Sequence, residues 1–361
     1  MSKHRESASI KVGQEIVVKV VDLAFGGEGV GRYEGAAVFV PFAAVGDLLR
    51  VRIVQDRKSF YRASLVEIVE PSADRVAPPC PYYARCGGCQ YQHISYEAEL
   101  AAKGKQLRDV LERVGKIGGA DVRPILHAAP YGYRNRITVH NEKGRIGFRA
   151  VDGREIVDVE ECLLATAEVN QKLKKLREKP RPRPHYSVRA DAVAGEAFYQ
   201  TNELLMPALP KLVRDALSAN IEAVVEGYAG AGFFTRVLAE KVKQVVSIES
   251  DPKAIRERRA PSHVIWLEGT FEEFLPEARN KIKSDNVACF VDPPREGLSE
   301  IARRDLLSLP FRQLLYLSCN PAALARDVRA LEEKWKPVYF QPIDLFPRTA
   351  HVECLAVLEP R

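Results

Sequence analysis

From about residue 197 onward the chain alternates short apolar runs with helical stretches, and no other feature restricts its fold as tightly. Strands are expected at 223–228, 244–249, 263–268, 287–292, 313–319, 337–345 and 352–358, with helices between most of them. Such regular alternation defines a doubly wound α/β domain. In an open sheet of this kind ligands sit outside the carboxyl ends of the strands, so the residues at those ends deserve the first reading.

The first strand runs into VVEGYAGAGFFTRVLAE, where Gly230 and Gly232 permit a tight turn and a close backbone approach to a ligand. The third glycine of a G-x-G-x-x-G pyrophosphate fingerprint is missing. The second strand ends on Glu249, 17 residues after Gly232, where a carboxylate can accept both ribose hydroxyls of a nucleoside. Taken alone, these are equally a turn glycine and a surface acid. Two later strand ends add weight: ACFVDPPREGL sets Asp292 before two stiffening prolines, and LLYLSCNP closes an apolar strand on Cys319. A cysteine there is either a nucleophile or an inert core thiol. The helix starting at NPAALARDVRAL would favour the thiolate through its N-terminal amides. If the last strand, in DLFPRTAHVECLAVLE, runs antiparallel, Glu353 returns beside Cys319, where burial would raise its pKa and suit it to act as a base.

At 361 residues the chain exceeds one ordinary core, and we divide it at 1–72, 73–196 and 197–361. With 46% hydrophobic and 28% charged residues it reads as globular. No apolar stretch approaches the roughly 20 residues of a membrane span, and MSKHRESASIKVG lacks a signal-peptide core, so a cytoplasmic protein without a membrane partner is expected. The net charge of +6 does not by itself name a nucleic-acid partner, and the basic KLKKLREKPRPRP at 172–184 suits a phosphate-contacting arm or a solvated linker. Residues 10–70 alternate apolar and polar positions between glycine-rich turns, as in a small closed barrel. FGGEGVGRYEG followed by VFVPFAAVGD resembles the TRAM domain, an OB-like RNA-binding barrel. Between barrel and α/β domain, a helix is expected from Ser95 to Gly115 and paired strands around the EKGR turn. Seven cysteines in a reducing compartment point to metal or chemistry rather than disulfides. Cys80, Cys86 and Cys89 are spaced C-x5-C-x2-C, with Cys162 as a distal fourth; this set suits zinc or an iron–sulfur cluster alike.

Together, the TRAM-like start, the cysteine spacing, FYQTN, VDPPREG, LSCNP and FPRTAHVE strongly resemble the RNA 5-methyluridine methyltransferases over nearly the whole chain. The resemblance implies an α/β fold: a Rossmann-like S-adenosylmethionine-dependent methyltransferase domain, an N-terminal OB-like (TRAM) β-barrel, and a small α+β central domain carrying a 4Fe-4S cluster. Carried over by position, Cys80, Cys86, Cys89 and Cys162 would hold the cluster. Gln200, Tyr228, Glu249 and Asp292 would contact S-adenosylmethionine, with Cys319 as nucleophile and Glu353 as base. One departure stands out: Phe233 replaces the polar residue usual after the second glycine. The implied substrate is RNA, either 23S ribosomal RNA or transfer RNA, and the implied state is a monomer. A flipped base would be met by Phe198, Arg134 and Arg136, although the two arginines suit a solvated hairpin face equally well. Rival readings are an RNA 5-methylcytosine methyltransferase, which uses the same thiol addition, and a non-catalytic RNA-binding or RNA-folding protein.

Overall fold

The computed structural model describes residues 10–180, 182–191 and 200–361. Phe198 lies outside them. A closed barrel is formed by β1 (Glu15–Leu23), β2 (Gly29–Tyr33), β3 (Ala36–Val40), β4 (Leu48–Asp56) and β5 (Phe60–Glu70), in the order β1-β2-β3-β5-β4. The alternation read from the sequence is visible in β1, where Ile16, Val18 and Val20 point inward and Glu15, Val17 and Lys19 outward. The turn glycines divide by role. Gly26 and Gly27 adopt φ of 109° and 92°. Gly31, by contrast, lies within β2, where any Cβ would strike Val18 and come within 2.8 Å of the Lys19 carbonyl oxygen.

The chain continues through α1 (Tyr96–Arg113), β6 (Arg136–Glu142), β7 (Arg145–Arg149), β8 (Ile156–Asp158), α2 (Ala167–Glu178) and β9 (His185–Arg189). Ser95 caps α1 as expected, its side chain accepting from the Ala98 amide. The EKGR turn joins β6 to β7 through Lys143 and Gly144, at φ of 52° and 82°, the left-handed pair of a two-residue hairpin. The four strands form an antiparallel sheet, β8-β7-β6-β9, with Val169 and Leu173 of α2 in its core. The basic stretch is therefore not a linker in its first half. Residues 172–178 are helical, and Leu173 is buried while Lys172 and Arg177 pair with Asp191 and Asp158.

Next come α3 (Ala208–Ala216), β10 (Ala223–Gly227), α4 (Thr235–Lys241), β11 (Gln244–Glu249), α5 (Pro252–Glu257), β12 (Ile265–Glu268), α6 (Phe271–Asn280), β13 (Val287–Val291), α7 (Glu300–Ser308), β14 (Gln313–Ser318), α8 (Pro321–Ala330), β15 (Trp335–Ile343) and β16 (Glu353–Pro360). Their strands form one sheet in the order β12-β11-β10-β13-β14-β16-β15. Strands β10 to β14 pair with one another in parallel, and β16 runs antiparallel to both β14 and β15. β10, β13 and β14 are buried at every position, because helices cover both faces. Val225, Val246 and Val291 face α6, α7 and α8, whereas Val224, Val245 and Phe290 face α3 and α4. Leu107 and Leu111 of α1 join the first of these cores beside Trp335, and Val122 and Leu126 bridge to β15. The segment before residue 127 thus packs on the C-terminal sheet as well as on the barrel. Among the described residues no helix is long and apolar enough to cross a membrane.

Candidate active site

The carboxyl ends of the parallel strands open into a cavity of about 750 Å³, within the range typical of small-molecule sites. After β10 the chain turns through Tyr228, Gly230 and Gly232, at φ of 60°, 56° and 88°. Tyr228 takes up this left-handed conformation without being glycine, and its hydroxyl donates to Glu272 at 3.1 Å. Glu226, fully buried beneath the turn, accepts from Thr235 at 2.6 Å and Ser247 at 2.7 Å through one oxygen, while its other oxygen has no partner among the described residues. Burial pushes its carboxyl up to about 7.

Glu249 at the end of β11 accepts the Gly230 amide at 2.6 Å on Oε2 and the Ser250 and Asp251 amides, at 2.8 and 2.7 Å, on Oε1. A carboxylate offers about four lone-pair positions, so three are already used by the backbone and one remains. Simultaneous capture of two ribose hydroxyls would require one of these amides to give way. Asp292, just past β13, has no hydrogen bond to another described group, and burial pushes its carboxyl up to about 7. Cys319 follows β14, whose Ser318 pairs with Cys354 of β16; this register brings Glu353 to the same strand ends. Burial, and after it the Asp292 charge, pushes Glu353 up to about 8. The Cys319 thiol is raised by burial, then by Glu353 and Asp292, and drawn back down by Arg295.

All six residues expected from sequence to be cofactor contacts or catalytic groups, Gln200, Tyr228, Glu249, Asp292, Cys319 and Glu353, line this one cavity. Arg134 and Arg136 line it too, so neither is simply a solvated hairpin residue. Phe233 forms part of the wall beside Phe234, with ring centroids 4.8 Å apart, so the position offers an apolar surface. One expectation fails. The first amides of α8 do not serve the thiolate, because the Asn320 side chain accepts from Ala322 and Ala323 at 3.1 and 3.5 Å. The cation that favours the thiolate is Arg295. Sequence reading passed over it, and over Phe346 and His351 in the same wall, although all three lie in stretches read as informative.

A second, smaller cavity of about 80 Å³ is lined by Cys80, Cys86, Cys89 and Cys162, with Tyr82, Tyr83, Gln92 and Arg134. All seven cysteines are free. Burial raises the Cys86 and Cys162 thiols and pushes Cys89 up to about 12, and the other thiols of the set raise each of them further. Among the described residues, no three His, Cys, Asp or Glu side chains close on a single metal ion. Arg134 lines both cavities, its guanidinium 5.5 Å from the Phe346 ring centroid.

The sheet order, with a glycine turn and strand-end acids at its mouth, makes an α/β ligand site joined to a five-stranded barrel. Comparison with known proteins narrows the class. The family model of the tRNA (uracil-5-)-methyltransferases matches residues 279–361, and that of the TRAM domain matches residues 10–66. The chain is 30% identical to an uncharacterized RNA methyltransferase of Bdellovibrio bacteriovorus over 99% of this chain and 98% of the relative. It is 29% identical to another from Halalkalibacterium halodurans, over 98% and 99%. In structure it matches the Pyrococcus abyssi tRNA (uracil-54, C5)-methyltransferase in complex with S-adenosyl-L-homocysteine, with a TM-score of 0.73, 24% identity, and coverage of 94% of this chain and 99% of that one. The chain belongs to the RNA uracil-5 methyltransferase family, and it is an S-adenosylmethionine-dependent RNA methyltransferase.

Proposed function

We propose that the protein methylates carbon 5 of a specific uridine in RNA through a covalent adduct on Cys319. The observation that carries this reading is the meeting of Cys319 and Glu353 in one cavity with the glycine turn, Glu249 and Asp292. Cys319 adds as thiolate to carbon 6 of the uracil, giving an enolate with electron density at carbon 5. S-adenosylmethionine, when bound, would supply the electrophilic methyl group that carbon 5 takes up, its S–CH3 bond breaking to leave S-adenosylhomocysteine. The Asp292 carboxyl, without a partner among the described residues, and the open acceptor position on Glu249 fit its polar groups, and Gln200 and Tyr228 would complete the contacts. Glu353 then removes the carbon-5 proton, and the electrons of that C–H bond restore the double bond and expel the Cys319 thiolate. A base with a pKa near 8 suits a proton bound to carbon better than an ordinary carboxylate does.

The four-cysteine cavity completes the proposal. Four mutually opposed thiols surrounding a space, rather than closing on a point, fit a 4Fe-4S cluster better than zinc, whose Zn–S bonds of about 2.3 Å would draw the sulfurs together. Bound there, the cluster would supply structural cross-linking of the loop to Cys162. We assign RNA contacts to the barrel within 1–72, the cysteines and arginines to 73–196, and methyl transfer to 197–361. We read the enzyme as a cytoplasmic monomer acting on 23S ribosomal RNA or transfer RNA. Incubation with labelled S-adenosylmethionine and separated unmodified transfer and ribosomal RNA tests this. Label should appear as 5-methyluridine in one RNA, and label in cytosine or in neither RNA would overturn the reading.

A further inference from the structure

The segment between β15 and β16, residues 344–352, brings Phe346 and His351 to the cavity and leads into Glu353. Its polar groups are claimed chiefly from outside the sheet. Lys103 donates to Asp344 at 2.7 Å, Asn202 to the Leu345 carbonyl at 3.1 Å and Tyr133 to the Pro347 carbonyl at 3.0 Å. The Arg348 amide donates to Glu99 at 2.7 Å, and the Arg348 carbonyl accepts the Gln90 and Tyr91 amides at 2.9 and 3.2 Å. Arg348 itself stands at φ 66°, a conformation that persists only where surrounding contacts over-determine it.

Gln90 is the point where this segment meets the cysteine turn. Its Oε1 accepts the Ala350 amide at 3.0 Å, and its Nε2 donates to the Gly87 carbonyl, between Cys86 and Cys89, at 3.1 Å. An N–H on one side and a carbonyl on the other leave one orientation for the amide. The side chain is also pressed against the barrel, since a Cβ at Gly27 would lie 2.9 Å from Gln90 Cβ. Cys319 is held differently, by its own strand and the Ser318–Asn320 turn, and the Gln90 contacts do not reach it.

We propose that Gln90 is a positioning residue for the second half of the reaction. Its amide ties the Cys86–Cys89 turn to the backbone three residues before Glu353, and so holds His351 and Glu353 in register with the adduct formed on Cys319. Whatever disturbs the cysteine turn is then felt at proton removal before it is felt at thiol addition. This rests on the roles proposed above for Cys319 and Glu353, and the test separates the two.

Full-length protein, purified anaerobically with its iron content measured, is incubated with unmodified in vitro transcribed RNA and S-adenosylmethionine. Covalent protein–RNA adduct and released methylated RNA are followed separately. Gln90→Ala should form adduct within about two-fold of the wild-type rate but release product roughly five-fold more slowly, the scale of one lost positioning hydrogen bond. Hydrogen exchange should rise in the 346–352 peptide and stay unchanged in β14. Gln90→Glu, which keeps the acceptor for Ala350 but loses the donor to Gly87, should show the same split in smaller measure, and it carries the test if the alanine variant does not fold. Equal slowing of both steps, or of neither, overturns the inference. If the parallel Glu353→Gln variant fails to accumulate adduct, the reading of Glu353 falls and this inference with it; if it does accumulate adduct, the Gln90 result stands or falls alone.

Discussion

The molecule places cysteine in two cavities that share Arg134 as a wall and differ in almost everything else. Around Cys319 the neighbours are carboxyls, Asp292 and Glu353, with Arg295 in opposition, in a cavity of about 750 Å³ able to admit a nucleobase and a cofactor. Around Cys89 the neighbours are other thiols, in about 80 Å³. Both environments raise the thiol pKa by burial. They differ in what stands beside the thiol: carboxyls opposed by the Arg295 guanidinium in one, further thiols opposed by the Arg134 guanidinium in the other. The first arrangement suits the transient bond making proposed for Cys319, and the second suits the ligation proposed for the four cysteines.

The most severe break in this contrast is Cys319→Ala, expected to lower methyl transfer by at least roughly a thousand-fold while leaving iron content unchanged. Wild-type turnover in that variant would remove the nucleophile. Glu353→Gln should cost roughly 10²–10⁴-fold in turnover and leave a protein–RNA adduct visible on a denaturing gel. On the other side, Cys89→Ser should abolish the broad visible absorbance and bound iron of anaerobically purified protein, yet leave S-adenosylmethionine affinity within about three-fold. A colourless, zinc-loaded wild-type protein would overturn the cluster assignment.

A subtler test is pH. As the proposed base Glu353 must be deprotonated to act, and its pKa is pushed up to about 8, so the release rate should climb as pH rises through about 8 and fall by about ten-fold per unit well below it. A profile flat from pH 6 to 9 would exclude Glu353 as the base. The smallest effect is expected from Arg295→Ala. By taking away the cation beside Cys319 it should slow adduct formation by roughly three- to ten-fold near pH 7 and by less at pH 9.

Much of this site was readable because strand ends are readable. Each β-run stops where its apolar pattern stops, and in a doubly wound sheet those stops share one rim, so Glu249, Asp292, Cys319 and Glu353 fall together once the last strand is taken as antiparallel. What failed were statements about hydrogen bonds. The α8 amides looked available to Cys319, but Asn320 consumes them; Glu249 looked free for both ribose hydroxyls, but three backbone amides leave it one open acceptor position. The basic stretch suited a phosphate-contacting arm or a linker because lysine and arginine dominate it, and the single buried Leu173 that anchors its first half as a helix carries little weight in such a pattern.

Local order thus follows from the sequence by itself: the inward-facing alternation of β1, the Ser95 cap, the left-handed Lys143–Gly144 turn and the strand ends all depend on neighbours a few residues away. Tertiary structure alone decided which distant groups meet. Gln90 reaches Ala350 across 260 positions, Lys103 reaches Asp344 across 241, and Arg134 comes to stand between two cavities. The reason is physical: periodicity and turn chemistry report which face of an element is buried, whereas the pairing of buried polar groups depends on how whole elements pack, and a single sequence does not display that register.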